Sequence, residues 1–168
     1  AKPKAKPKTG EEAPKPVVKP GSAEDVEAAL AIDILAVEVG YELISAVDPS
    51  MGGTLLDRIG ALRRQFAQEM GFIIPPVRLR DNLQLEPGSY RFVLLGTELA
   101  SFNCRSQRML AMKASPTAPD IDGEPTSDPA FGTPAIWIPL RDRELAEALG
   151  YTVIDNATMI ATHLGEVV

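Results

Sequence analysis

An α/β (α+β) fold is what this 168-residue sequence predicts, and three patterns predict it. "TLLDRIGALRRQFAQEMG" repeats apolar residues at three- and four-residue spacing, which lays one buried stripe along a helix. Around residues 32–39, and again at Val77 and Leu79 between Arg78 and Arg80, apolar and polar residues alternate as they do on strands. Both clear helical stretches end in glycine and an aromatic and run into apolar strand sequence, "GFII" and "GYTVI". Helices and strands therefore share one core, in a single domain or a domain with a smaller inserted unit.

Residues 1–22 stand apart. Six lysines face only Glu11 and Glu12 there, five prolines interrupt the segment, and no periodic apolar face exists. This composition reads as an extended, flexible Lys/Pro-rich linker, a tether in preference to a solubilising tail. Order is expected from Ala23, with a strand over 32–39 that turns Glu38 away from the core. Tyr41–Val47 is open between a short helix and irregular structure, and Gly52 and Gly53 break the chain.

In the long helix, Thr54 and Asp57 resemble a capping box. Leu55, Ile59, Leu62, Phe66 and Met70 form the buried stripe. Gly71 supplies a left-handed C-cap, with Phe72 packed back on the last turn. Gly60 inside the helix suggests close backbone packing. "FIIPPVRLRDN" is then a strand broken by Pro75 and Pro76. "GSYRFVLLGTELASFN" is one long strand or two joined at Gly96, and "RMLAMKA" is another. Residues 119–133 read as a loop, "PAIWIP" as a short buried strand, and "RDRELAEALG" as an amphipathic helix with Leu140, Leu145, Ala148 and Leu149 inward. "YTVID" is a strand, and Asp155 caps a last helix, "NATMIATHLGEVV".

Chemistry is scarce. Residues 23–168 hold 11 basic against 21 acidic groups, a poor match for a phosphate backbone, so nucleic acid is disfavoured. Cys104 is the only cysteine and His163 the only histidine, which leaves no thiol-based metal site. His163 is read as a helix-surface residue. "DIDGE" lacks the further ligands and flanking helices of a calcium loop, and "MGGT" lacks the lysine of a phosphate loop. No catalytic constellation, metal or cofactor is expected. No apolar run approaches the roughly 18 residues that span a bilayer, nor is the start a secretory signal. A chain beginning "AKPK" reads as a piece of something longer.

"SDPAFGTPAIWIP" is the one unusual segment. Pro129, Gly132 and Pro134 stiffen the backbone around Phe131 beside Asp128. Such a turn can hold an aromatic ring out for recognition at low ordering cost. On residue physics alone the interior is favoured instead, with Phe131 filling the core and Asp128 closing an Asx-type turn.

Four stretches, "LAVEVGYELI", "GGTLLDRIGALRRQFAQEMGFIIPPVRLRDN", "IDGEPTSDPAFGTPAIWI" and "ALGYTVIDNATMIATHL", resemble the cytoplasmic part of the flagellar and type III export gate proteins, the FHIPEP family. The likeness covers about residues 28–168 and is nearer the flagellar branch. It implies a discontinuous mixed-sheet α/β subdomain, residues 23–106 with 156–168, and a small inserted α/β subdomain, residues 107–155. It also implies membrane attachment only through an N-terminal domain outside this chain, a place at the cytoplasmic face of the bacterial inner membrane, and self-association into a ring. The expected partners are flagellar export chaperones with their substrates and other export-apparatus proteins. In the family a hydrophobic dimple docks those chaperones, and the resemblance carries its motif residues onto Asp128, Phe131 and Thr162. Ile154 and Met159 are the weaker candidates for its wall. The function implied is a non-enzymatic docking platform. The alternative is a purely structural ring-forming segment of an injectisome-type gate.

Overall fold

The alternation at Leu35 becomes the first strand of a computed structural model that describes residues 34–168. β1 (Leu35–Val39) is interior to a four-stranded sheet with order β2-β1-β3-β4. β2 (Val77–Asp81) runs parallel to it, while β3 (Ser89–Leu94) and β4 (Thr97–Asn103) are antiparallel, so the sheet is mixed. Parallel pairing needs a long crossover, and the segment between β1 and β2 supplies it. That segment holds the short helix α1 (Ile44–Val47) and the long helix α2 (Leu55–Met70). β3 and β4 join through Leu95 and Gly96, with φ of 48° and 83°, the positive pair that a tight hairpin requires.

Period-two alternation decides the faces. Leu35, Val37 and Val39 point with Tyr90 and Phe92 into the core. Glu38 faces the other way, where it pairs with Arg91 and Arg80 and accepts from Asn82 at 3.0 Å.

A second sheet, order β6-β7-β5-β8, is antiparallel throughout. Its strands are β5 (Arg108–Lys113), β6 (Glu124–Ser127), β7 (Pro134–Pro139) and β8 (Tyr151–Ile154). Leu110, Ala135 and Trp137 on one face join the first sheet's core. Met109, Ala111, Ile138 and Val153 on the other pack with Ala146 of α3 (Arg143–Ala148). Both faces are covered, which is why "PAIWIP" is apolar throughout. From β8 the chain returns as α4 (Asn156–Val167), whose Ala157, Met159, Ile160 and Leu164 complete the first core. Among the described residues no helix is long and apolar enough to cross a membrane.

Several local expectations change. "EPTS", read as loop, is strand β6, because pairing with β7 overrides the poor strand propensity of proline and glutamate. Thr54 does not cap α2; its hydroxyl accepts from Arg58 Nε at 3.3 Å instead. Of the α2 stripe only Leu55 and Ile59 are buried, and Met70 is exposed along with Phe72. The groove with α4 is lined on the α2 side by Arg58, Ala61, Leu62 and Gln65, and Met70 lies more than a turn beyond it. Gly60 meets only Arg64 Nη1, at 3.6 Å from a notional β-carbon. The close helix–helix approach is at Gly165, where that atom would stand 3.1 Å from Leu62 Cδ1. On α3 the inward residue is Ala146; Leu140, Leu145 and Ala148 are exposed and Leu149 half-buried. A 3-10 turn at Leu140–Asp142 precedes that helix, and its tighter winding moves Leu140 off the face that α-helical spacing assigns it.

Two glycines separate steric need from tolerance. A β-carbon on Gly40 would overlap the carbonyl oxygens of Glu86 and Pro87, although its φ of −69° is ordinary. Gly40→Ala should lower the unfolding free energy by about 1–3 kcal/mol. Gly60→Ala, in open space within a helix, should raise it by up to about 1 kcal/mol. Urea unfolding followed by circular dichroism reads both, and equal effects would contradict the packing at Gly40.

Candidate functional site

The hairpin between β6 and β7 turns over Asp128–Thr133. Asp128 N–H donates to the Thr133 carbonyl at 2.8 Å, Gly132 N–H donates to the Asp128 carbonyl at 2.8 Å, and Phe131 N–H donates to Asp128 Oδ2 at 2.9 Å. Gly132 takes φ of 71°, a conformation that costs glycine little. The turn sorts its two notable side chains by polarity in the unexpected sense. Asp128 is 3% exposed and Phe131 is 65% exposed. The carboxylate closes an Asx-type turn and is directed inward, while the ring stands in solvent. Phe131 does not fill the core.

Thr162 lies on α4. Asp155 caps that helix by accepting from Thr158 N–H at 2.8 Å, and Arg58 of α2 reaches Asp155 at 3.5 Å. The Thr162 hydroxyl donates back to the Thr158 carbonyl at 2.8 Å. With Arg58, Ala61, Leu62, Gln65, Thr158 and Ala161 it lines a shallow groove of about 220 Å³ between α2 and α4. Ile154, at the end of β8, is half-buried against the first core. Met159 is wholly enclosed in that core and offers no surface.

Sequence reasoning missed the polar centre beneath these residues. His163 is 5% exposed, not a helix-surface residue. Its Nδ1 lies 2.7 Å from the Tyr90 hydroxyl, and its ring meets Phe92 edge-on at 5.0 Å between centroids. Burial pushes the Tyr90 phenol far up, and the Asp128 charge pushes it the same way. Burial pulls His163 below its ordinary value, with the Asp128 charge acting in the opposite direction. Helical spacing was the available signal: His163 follows Met159 by four residues and Ile160 by three, on the buried stripe.

The structure therefore gathers Asp128 and Phe131 in one turn and sets Thr162 on the groove between α2 and α4. It keeps Met159 in the interior. Asp120 and Glu124, the acids of the "DIDGE" loop, pair with Lys113 at 2.6 Å and Arg105 at 2.8 Å. Among the described residues no group of three His, Cys, Asp or Glu side chains could hold a metal ion.

A family model described as the FHIPEP family matches residues 1–168. The flagellar biosynthesis protein FlhA of Escherichia coli K12 is 46% identical over 136 residues, which is 81% of this chain and 20% of that protein. The chain thus spans about one fifth of the length of the relatives it matches. The Chlamydia pneumoniae CdsV protein, solved in complex with CdsO, superposes with a TM-score of 0.62 at 18% identity, over 78% of this chain and 42% of that one. The nonameric EscV cytosolic domain from a type III secretion system superposes with a TM-score of 0.52 at 14% identity, over 82% of this chain and 39% of that one. These two structures show a shared fold.

The buried pair carries a stability prediction. Tyr90→Phe leaves His163 Nδ1 without its hydrogen-bond partner and should cost about 1–3 kcal/mol. The folded protein holds His163 below 6.5, so the unfolded chain takes up that proton first. This contribution is complete above about pH 6.5 and is lost as pH falls through the folded-state value. Urea midpoints compared between pH 7.5 and 5.5 should fall in the wild type and fall less in His163→Gln. Glu38 and Asp155, lowered from 4.5 and 3.8, titrate below this window.

Proposed function

The chain belongs to the FHIPEP family, and from that premise we propose that it forms a docking module of a flagellar type III protein-export gate. The module seats export chaperones with their substrates during flagellum assembly. One observation carries this reading: a phenylalanine ring 65% exposed on a turn whose backbone is fastened from below by a buried carboxylate. An exposed aromatic on a stiff mount gives a partner large contact area at little entropic cost. The groove at Thr162 is shallow, and Ala61, Leu62 and Ala161 give it an apolar strip that suits the apolar face of a short helix. In this reading Phe131 is the anchor, Thr162 marks the groove and Ile154 adds a half-buried wall. Asp128 and Met159 act from beneath, by holding the turn and the floor.

The wider assignment follows the family. Residues 23–106 with 156–168 form one subdomain in this proposal and residues 107–155 an inserted one, each with its own sheet and helix. The full-length protein is held at the cytoplasmic face of the inner membrane by segments outside this chain. The nonameric EscV domain and the CdsV–CdsO complex support self-association into a ring and contact with other export-apparatus proteins. In this reading the role is binding; the chain's only histidine is enclosed and bonded to Tyr90. A second reading, a structural ring segment of an injectisome-type gate, draws on the same nonameric likeness.

Phe131→Ala should weaken binding of a flagellar chaperone–substrate complex about tenfold or more in titration calorimetry. Because the ring is exposed, thermal unfolding should change by less than about 0.5 kcal/mol. Asp128→Ala, by contrast, removes a buried acceptor and should destabilise by about 1–3 kcal/mol as well as weaken docking. Unchanged affinity in Phe131→Ala places the contact elsewhere. A wild-type protein that scatters light as a multimer yet ignores the chaperone complex favours the ring-segment reading.

A further inference from the structure

The groove between α2 and α4 has two unlike ends. The helices run side by side in one sense: Arg58 meets Asp155, and further along Leu62 Cδ1 stands 3.1 Å from where a β-carbon on Gly165 would lie. Ala61, Leu62 and Ala161 form the apolar middle, and among the described residues Arg58 is the charged side chain in the lining. Towards the other end Gln65 Nε2 donates to Glu69 Oε2 at 3.2 Å. Arg58, Leu62, Gln65 and Glu69 follow one another at three- and four-residue spacing, so they share a helix face. Arg58 and Glu69 are about 16 Å apart along the axis, about three turns.

We propose that this groove takes a short amphipathic helix that sets a carboxylate on Arg58 and a lysine or arginine beside Glu69, which makes Arg58 a specificity-determining residue. The proposal rests on the docking reading and names the chemistry of its partner. Arg58 is already oriented for the task. Its Nε donates to Thr54 Oγ1 at 3.3 Å and its Nη2 to Asp155 Oδ2 at 3.5 Å. These bonds occupy two of the five N–H donors of a guanidinium, and the side chain stays 41% exposed. Asp155 meets it through a single long contact, while its other oxygen accepts from Thr158 N–H at 2.8 Å. A fork held at two points loses little freedom when a further carboxylate binds it.

The surroundings make this recognition local. The chain carries a net charge of −6, so an acidic partner gains nothing from the overall field and its carboxylate has to be met by a particular cation. Ala61 and Ala161 are small enough for a helix backbone to approach. A helix with its charges reversed would set like charges together at both ends, which selects against it. Arg64, exposed on another face of α2, stands off this line.

Titration calorimetry with the flagellar chaperone–substrate complex tests the proposal. Arg58→Glu should weaken binding about tenfold or more, Arg58→Gln about threefold, and Glu69→Lys about threefold or more. Arg64→Glu makes the same charge change off the groove and should alter affinity less than about twofold. Raising salt from about 50 to 500 mM should weaken the wild type more than Arg58→Gln. Arg58→Glu binding no more weakly than Arg64→Glu overturns the inference. Should Arg58→Glu fail to fold by circular dichroism, Arg58→Gln and Glu69→Lys decide, and wild-type affinity in both overturns it. If Phe131→Ala weakens binding while the Arg58 variants do not, the docking reading stands and this inference fails. Weakening by Arg58→Glu with Phe131→Ala unchanged keeps the groove and removes the ring as anchor.

Discussion

The contact on which the rest of this structure depends is the hydrogen bond between Tyr90 and His163, enclosed among Phe92, Phe102 and the aliphatic side chains of α4. Water is not available there, so an unpartnered phenol or imidazole would carry its full desolvation cost. The two groups must therefore meet, and their meeting sets the axial position of α4 against β3. Apolar contacts alone tolerate a helix sliding along a sheet; a buried polar pair with one good geometry does not. Since α4 enters from β8, the same contact fixes where the second sheet joins the first. Trp137 and Leu110 close that junction from the other side.

Much of this was legible. Strand alternation gave β1 and β2, the 3.6-residue stripe gave α2, and Gly71 and Asp155 mark helix ends at the residues expected of them. What escaped depended on partners distant in sequence. β6 is a strand because β7 lies beside it, and α3 loses its expected face to a preceding 3-10 turn. His163 reads as a helix-surface residue when taken alone, whereas its spacing from Met159 and Ile160 puts it on the buried stripe. At the candidate site the motif made Asp128, Phe131 and Thr162 visible together, whereas residue physics put the phenylalanine inside. The reversal comes from the turn itself. In that turn Asp128 is buried while its Oδ2 accepts from the Phe131 N–H, and the ring stands exposed.

Burial of the acid rather than the ring is costly locally and has to be offset by the hydrogen bonds that the turn supplies. Natural sequences keep such conflicts where a surface has work to do. Leu140, in the 3-10 turn, and Leu145, on the short helix α3 that follows it, are also exposed against expectation but present no comparable conflict. Exposure at Phe131 is enforced from below, while exposure on α3 is left over.

That difference explains why a hairpin suits the task better than a free loop. The turn leaves a sheet covered on both faces at the Ser127–Pro134 pair, so its base cannot flex without disturbing Ala135, which is buried. Its tip is tied by three backbone or side-chain bonds within six residues. A ring on such a mount keeps few conformations when free and loses few when bound, which leaves more of its contact area as net affinity. The same rigidity makes the ring answerable to the interior: any change in the bonding of Asp128 reaches Phe131 through a single hydrogen bond, with no slack backbone between to absorb it.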